Sequence, residues 1–382
     1  MKFSKRNTRV RLKKKSSSNH QSKSKSKSKS KKSGNTRNTR NTKYQRTFII
    51  SARNDSNGLI YTQLRKRLID DLKLEETHHF AHTQPYFIWM EQLTNNKFDA
   101  VYNNIPCWIK NILSHEKSII TNKYQLYNNF YNKYPLECSK YMIHSWNFLK
   151  QQPIPNVKES SSASSIYIVR PAGVGAFSGK DVIIVHDIKT WKHAKSISKK
   201  YNAVIASDYI MSPMLFESRK FHLRTYLIAA KINGIYKTYF FDFYELFTAA
   251  KPYKAGDFDN GDIHDTHFKS TPRDIMCPDD LNSEQRLVFS DKVYPAMKEC
   301  MRYVSRILEE GCKPYPESKN AFEVFGCDFM VTSDAKPILL EVNEKIGFTM
   351  HKVEKKRVFC ECYFNTICDF LFTDKLEPLY LH

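Results

Sequence analysis

A mixed α/β fold is what this chain predicts, on three observations. Runs of alternating apolar and polar residues interleave with runs of helical spacing between residues 46 and 372. Residues 326–343, GCDFMVTSDAKPILLEVN, read as two strands around a turn. The 382 residues, 41 % of them apolar, suffice for one large domain or two to three small ones with a sizeable core.

The elements follow in order. Residues 1–46 hold 18 of the 61 Lys and Arg and no Asp or Glu, including the repeat SKSKSKSKSKK. Without an apolar core to bury, this stretch is expected to be a disordered basic tail. The net charge of +22 is mostly its own, since the remainder carries 43 basic against 39 acidic residues. Such a tail attracts nucleic acid non-specifically, an anionic membrane or an acidic protein tail; it suits a solvated arm or a nuclear-localisation-like patch equally well. RTFIIS (46–51) predicts a first strand, and LIYTQLRKRLIDDL (59–72) a helix with Leu59, Leu64, Leu68 and Leu72 near one face. FDAVYNNI (98–105) is a further strand, so 47–116 is read as a small N-terminal α/β domain. Residues 117–150 are read as helical and the Pro- and Ser-rich 151–165 as a loop. IYIVRP (166–171), DVIIV (181–185), YNAVIASDYI (201–210) and KFHLRTYLIAA (220–230) continue the strand pattern. A long helix at 283–310, the hairpin and a last helix at 355–372 complete the chain.

Several classes are set aside. The N-terminus has no apolar stretch of signal-peptide type, and no run of about 20 apolar residues predicts a membrane span. Nine cysteines without framework spacing suit a reducing compartment, so an intracellular location, cytoplasmic or nuclear, is expected. Cys360 and Cys362, with His351 the nearest histidine, and the cluster His78, His79, His82 are read as packing residues, because neither has a second metal half-site.

In the hairpin, a tip at Asp334-Ala335 puts Asp328 directly opposite Glu341, with Asn343 next along and Gly326 opposite it. Alternation then gives Cys327, Phe329 and Val331 to a core face, against Val342, Leu340 and Ile338. Paired carboxylates about 5 Å apart repel each other, and with an amide oxygen they form a donor set for Mg²⁺. Taken alone, the pair also suits a solvated face whose acids bind lysines.

Two upstream segments bear on that choice. VRPAGVGAFSGKDV (169–182) is a strand ending at Arg170, followed by Gly173, Gly175, Ser178 and Gly179. Glycines let backbone amides approach phosphate closely, though the segment matches neither a P-loop nor a dinucleotide fingerprint, and a surface loop reads the same way. In KFHLRTYL (220–227), Lys220, His222 and Arg224 share one strand face, which suits an anion or a basic outer surface. All four pieces together are what a nucleoside triphosphate with Mg²⁺ requires.

IYIVRPAGVGAFSGKDVIIV, VIASDYIMSPMLFESRKFHLRTYLIAA and FEVFGCDFMVTSDAKPILLEVNEKIGF resemble the three central blocks of the tubulin–tyrosine ligase-like family, which has the ATP-grasp fold. The resemblance is strong over 166–348, extends from about 117 to 372, is faint in 47–116 and is absent from the tail. It implies an ATP-grasp region at 117–374, with a central part near 166–210 and a C-terminal part from 211. It also implies ATP and Mg²⁺ as cofactors. Asp328, Glu341 and Asn343 would hold the metal; Arg170, Lys220, His222, Arg224 and the three glycines would lie at the nucleotide, Lys220 and Arg224 at the transferring phosphate. Ser207, Asp208, Tyr209 and Ile210 would flank adenine, and Lys123 matches an earlier family lysine. HDTH (264–267) echoes a His-x-Thr-Asn stretch.

The implied reaction is an ATP-dependent carboxylate–amine ligation through an acyl phosphate, adding Tyr, Glu or Gly to an acidic protein tail such as that of tubulin. Arg170 stands for a family lysine, His222 for an aspartate, Asp181 for a glycine and Ser207-Asp208 for a Gln-Lys pair. Residues 225–272 contain no arginine to clamp the amino-acid carboxylate, leaving Lys237 or Lys251. A degenerate ATP-grasp module without ligase activity, or nucleic-acid binding through the tail, are the alternatives.

Overall fold

The computed structural model describes residues 45–51, 60–77, 84–90, 107–111, 113, 117–154, 166–172, 181–264, 275–276, 281–311, 320–344, 354–373 and 375–382. Residues 1–44 of the basic tail, the strand expected at 98–105, His78, His79, His82, His351 and the glycines 173, 175 and 179 lie outside these residues, while Gln45 and Arg46 already belong to the first strand.

The fold is mixed α/β, as expected. The first stretch contains β1 (Gln45–Ser51), α1 (Thr62–Asp70), β2 (Glu75–Glu76), β3 (Pro85–Met90) and β4 (Ile109–Lys110). The helical stretch is broken into α2 (Ser118–Thr121), α3 (Lys123–Lys133) and α4 (Pro135–Tyr141), and it gives way to β5 (Ser145–Asn147). Pro135 starts α4, where its missing amide costs nothing. Then come β6 (Tyr167–Pro171), β7 (Ile183–Val185), α5 (Ile188–Ser198), β8 (Val204–Asp208), β9 (Leu215–Phe216) and β10 (Arg219–Ile232). The remainder is β11 (Ile235–Phe240), β12 (Glu245–Thr248), α6 (Gly261–His264), β13 (Ile275–Met276), α7 (Ser283–Val288), α8 (Tyr294–Gly311), β14 (Asn320–Val331), β15 (Pro337–Asn343), α9 (Glu354–Phe372) and β16 (Tyr380–Leu381). The single helix expected at 283–310 contains a π-helical segment, Phe289–Val293, between α7 and α8.

Among the described residues, β5, β8, β6 and β7 form a four-stranded antiparallel sheet, and the other twelve strands share a second sheet. In the large sheet β10 lies between β14 and the strands β11 and β12, all antiparallel, while β14, β4, β3, β1 and β2 run parallel in succession. Alternation along β10 sorts its side chains onto two cores. Phe221, Leu223, Leu227 and Ala229 join Met297, Met301 and Val304 of α8 on one side. Tyr226, Ile228 and Ala230 join Leu64 and Leu68 of α1 and Tyr363 and Phe364 of α9 on the other. The small sheet buries Tyr167, Val169, Val204 and Ala206 against Ala194 of α5. Its opposite face, with Arg170 and Ser207, is left for other work.

The hairpin register agrees with the sequence at the acidic end and departs from it beyond. Gly326, Cys327 and Asp328 face Asn343, Val342 and Glu341, but Phe329 faces Leu339 rather than Leu340. The turn is one residue longer than a Asp334-Ala335 tip: Ala335 takes a positive φ of 62°, and Thr332 pairs with Lys336 across it. That is a three-residue loop ending in a left-handed residue, and Leu340 absorbs the offset as a bulge. Leu339 and Val342 therefore occupy the core face, and Leu340 is only partly covered.

Candidate functional site

The site grows from the even-numbered face of β10, where the apolar stripe of Tyr226, Ile228 and Ala230 gives way to Arg224, His222 and Lys220. On the neighbouring strand Asp328 lies directly across from Arg224. Arg224 Nη2 donates to Asp328 Oδ2 at 2.7 Å, and Nε donates to the other carboxylate oxygen, a bidentate fork. Gly326 makes room for it: a Cβ there would lie 3.3 Å from Arg224 Cδ. His222 stacks on Phe247 of β12, with ring centroids 4.9 Å apart and planes 7° from parallel.

β15 adds Glu341 beside Asp328 and Asn343 beside Gly326. Asn343 Nδ2 donates to Asp328 Oδ2 at 3.1 Å and to Glu341 Oε1 at 2.9 Å. Lys123 Nζ reaches Glu341 Oε2 at 2.6 Å. Its helix α3 is set by the Asn122 cap, which accepts from the amides of Tyr124 and Gln125, and by Leu126 and Phe130 in the core. Each carboxylate therefore has its own cation. The bare repulsion expected of the pair is quenched by Arg224, Lys123 and the Asn343 amide, because three segments distant in sequence converge here. Burial acts to raise the Glu341 carboxyl, but Lys123, Asn343 and Arg170 together hold it well below the usual carboxylate range.

From the small sheet comes Arg170. Burial pushes its guanidinium down, with Glu341 acting the other way. Its Nη2 donates to Ser207 Oγ at 3.4 Å, while Nε is buried without a hydrogen-bond partner among the described residues. Lys220 is 2 % exposed, and burial lowers its ammonium to about 8. Its Nζ donates to Tyr209 Oη at 2.8 Å and lies 4.5 Å from the centre of that ring. No carboxylate pairs with it among the described residues. A guanidinium with a buried donor left over and a buried ammonium without a carboxylate fit phosphate; two facing carboxylates with an amide fit Mg²⁺ once the amide turns its oxygen inward.

The structure thus brings together Lys123, Arg170, Ser207, Arg224, Asp328, Glu341 and Asn343, with His222 and Lys220 continuing the same face of β10. Of the proposed adenine segment, Ser207 is buried against Ser145 at 2.8 Å, and Tyr209 turns toward Lys220. Asp208 faces solvent beside His144, and Ile210 borders a cavity of about 530 Å³ together with Tyr127, His144 and Ile338. The two lysines that could stand in for an arginine clamp are engaged elsewhere: Lys237 Nζ donates to Phe370 O at 2.7 Å, and Lys251 pairs with Asp262 at 2.7 Å. Sequence reasoning missed two neighbours of the site. Glu245 lies across from Arg224 on β12 and accepts from Tyr226 Oη at 3.2 Å. His264 contacts the Tyr209 phenol, and the HDTH echo was its one signal. Among the described residues, no group of three His, Cys, Asp or Glu could hold a metal, and no helix is long and apolar enough to cross a membrane.

Comparison with known proteins adds a family. The profile of the tubulin-tyrosine ligase family matches residues 101–277 and 278–374. Tubulin glycylase 3D of Tetrahymena thermophila is 28 % identical over 202 residues, 47 % of this chain and 18 % of that protein. A protein monoglycylase of Mus musculus is 26 % identical over 213 residues, 50 % of this chain and 25 % of its own length. A "Probable tubulin--tyrosine ligase" of Schizosaccharomyces pombe is 26 % identical over 172 residues, 42 % of this chain and 40 % of that protein. The chain spans well under half the length of each of these relatives.

Proposed function

The chain belongs to the tubulin-tyrosine ligase family, and from that premise and the geometry above we propose that it is an ATP-dependent carboxylate–amine ligase that joins an amino acid to a protein with an acidic tail. The observation that carries this reading is the meeting of three cations (Lys123, Arg170 and Arg224) around Asp328, Glu341 and Asn343, with Lys220 farther along the same face of β10. Asp328, Glu341 and Asn343 would hold Mg²⁺, which would offset the charge of the phosphates. Arg170 and Lys220 then neutralise and orient the triphosphate. Arg224 exchanges part of its hold on Asp328 for the transferring phosphoryl group.

The chemistry asks for positioning rather than a side-chain nucleophile. A substrate carboxylate takes the γ-phosphoryl group, ADP leaves, and the amine displaces phosphate from the acyl phosphate to leave an amide. The central part near 166–210 supplies Arg170 and Ser207 to this cleft, and the part from 211 supplies the rest apart from Lys123. The names of the relatives, glycylases and tubulin–tyrosine ligases, support tubulin as the acceptor to try first and glycine and tyrosine as amino acids. The test is incubation of the full chain with ATP, Mg²⁺, isotope-labelled amino acids and tubulin, followed by mass spectrometry of the tubulin tails. Added residues that depend on ATP and vanish in Asp328→Asn support the reading. ATP binding with no transfer to any acceptor favours a degenerate nucleotide-binding module, for which the absence of arginine from 225–272 already speaks.

A further inference from the structure

The segment after β12 is tied to both sheets. Ala249 N donates to Lys220 O and Tyr253 N to Ser218 O, each at 2.7 Å, which lays the segment along the start of β10. Farther on, Asp259 meets His186 Nε2 at 3.2 Å, just beyond β7 of the small sheet. The segment ends by placing His264 against Tyr209. A continuous chain results: Lys220 Nζ to Tyr209 Oη at 2.8 Å, Tyr209 Oη to His264 Nδ1 at 2.7 Å, and His264 Nε2 to Asp257 O at 2.6 Å.

Its two ends set the direction of every link. An ammonium has no lone pair, so Lys220 donates to the phenol oxygen; a carbonyl has no proton, so His264 Nε2–H donates to Asp257. With Nδ1 left as the acceptor, the phenol O–H donates to it, and each atom has one role only if His264 is neutral. We propose that Tyr209 and His264 are positioning residues which aim the Lys220 ammonium at the nucleotide's phosphates, and that they do so only while His264 is uncharged. This rests on the nucleotide-binding reading of the cleft above.

The surroundings favour the neutral form. Burial and the Lys220 charge push His264 below the ordinary imidazole value, while the Asp257 carbonyl and carboxylate act the other way. Phe258 stacks on His264 at 5.9 Å, the Tyr253 ring meets its edge at 6.0 Å, and Tyr253 also flanks Lys220 at 5.5 Å. Protonating Nδ1 would turn the acceptor into a donor, strand the phenol proton and set a second cation near Lys220. A lysine with long methylene arms is otherwise free to turn, so losing the relay weakens its aim without removing its charge.

The test uses MgATP affinity by titration calorimetry from pH 5.5 to 7.5, where Lys220 keeps its charge, and the His264 ring nitrogens by ¹⁵N NMR of the nucleotide-free protein. In the wild type NMR should report the Nε2–H tautomer, and MgATP affinity should fall with acid in step with His264 protonation, by up to tenfold per pH unit. Tyr209→Phe should weaken MgATP about tenfold near neutrality and lift His264 out of that coupling. His264→Asn keeps an acceptor near Nδ1 but cannot titrate, so it should bind as the wild type does at pH 7.5 and lose the acid limb. Melting curves establish that each variant is folded; if Tyr209→Phe is not, His264→Asn carries the test. Retention of the acid limb in His264→Asn, a protonated or Nδ1–H ring at neutral pH, or an unchanged affinity in Tyr209→Phe would each overturn the relay. If the wild type binds no nucleotide, the reading of the cleft fails and the relay with it; transfer failing while binding follows the pattern above leaves the relay standing.

Discussion

Replacing Glu341 by Gln separates a metal site held by its own cations from a pair of acids that merely repel. In the nucleotide-free protein Glu341 is paired with Lys123 at 2.6 Å, with side chains 18 % and 16 % exposed. Removing one partner of a fully buried pair costs about 3–5 kcal/mol; residual water and the hydrogen bonds an amide keeps with Lys123 and Asn343 reduce this to about 1–2 kcal/mol. At about 2 °C per kcal/mol for a chain of this size, the melting temperature should fall by about 2–4 °C. The pH dependence has a definite sign. Burial opposes ionisation of Glu341, but Lys123, Asn343 and Arg170 more than offset it, so the folded carboxyl lies well below its unfolded value. The stabilisation is then fully present above the unfolded value near pH 4.3 and is lost as pH falls through the folded one. The gap between wild type and Glu341→Gln should therefore persist from pH 7 to pH 5 and close only in stronger acid. Saturating MgATP at a hundredfold excess over Kd should stabilise the wild type by ~2.7 kcal/mol, and the variant clearly less. Differential scanning calorimetry with and without MgATP reads both quantities. A nucleotide-free variant that melts higher than the wild type would mean that repulsion with Asp328 outweighs the pairing. Equal shifts with MgATP would remove Glu341 from the metal ligands.

Three further outcomes are expected. Arg224→Ala should weaken nucleotide binding far more than Lys231→Ala, a control on the same strand; equal effects in calorimetry would reduce the basic face of β10 to generic surface charge. Lys220→Met should lose nucleotide binding yet stabilise the nucleotide-free protein at pH 7 by about 2–3 kcal/mol, because burial holds the ammonium near 8 and penalises its charge. The unfolded chain keeps its proton up to about pH 10.4, so that gain should shrink as pH rises from 8 toward 10; a gain independent of pH in melting curves would contradict it. Lys117→Met should destabilise the fold by about 1–3 kcal/mol in urea titrations, since Lys117 meets Glu323 at 2.7 Å and Glu344 at 3.4 Å and its loss takes a cation from a buried carboxylate. A change under about 0.5 kcal/mol would show that water reaches that carboxylate.

What the sequence determined by itself was whatever depends on neighbours along the chain. Alternation marked β10 and the core side of β14, the spacing of Leu64 and Leu68 marked α1, and turn residues between two apolar runs marked the hairpin, whose longer turn and Leu340 bulge offset each other to leave Asp328 opposite Glu341. These are local consequences of period and turn chemistry, and they survive whatever the rest of the molecule does. The bulge at Leu340 escaped because Asp334-Ala335 carries no glycine to announce a left-handed residue, although Ala335 adopts one at φ 62°. Which cation serves which acid was a tertiary decision. Arg224 and Asp328 are 104 positions apart, and Lys123 reaches Glu341 only because α3 packs beside β15. Phenols and imidazoles read as ordinary packing residues in a chain with 22 tyrosines and 13 histidines. Only the segment spanning both sheets sets Tyr209 between Lys220 and His264, and hydrogen bonds require atoms within about 3 Å, a condition no spacing along the chain can state.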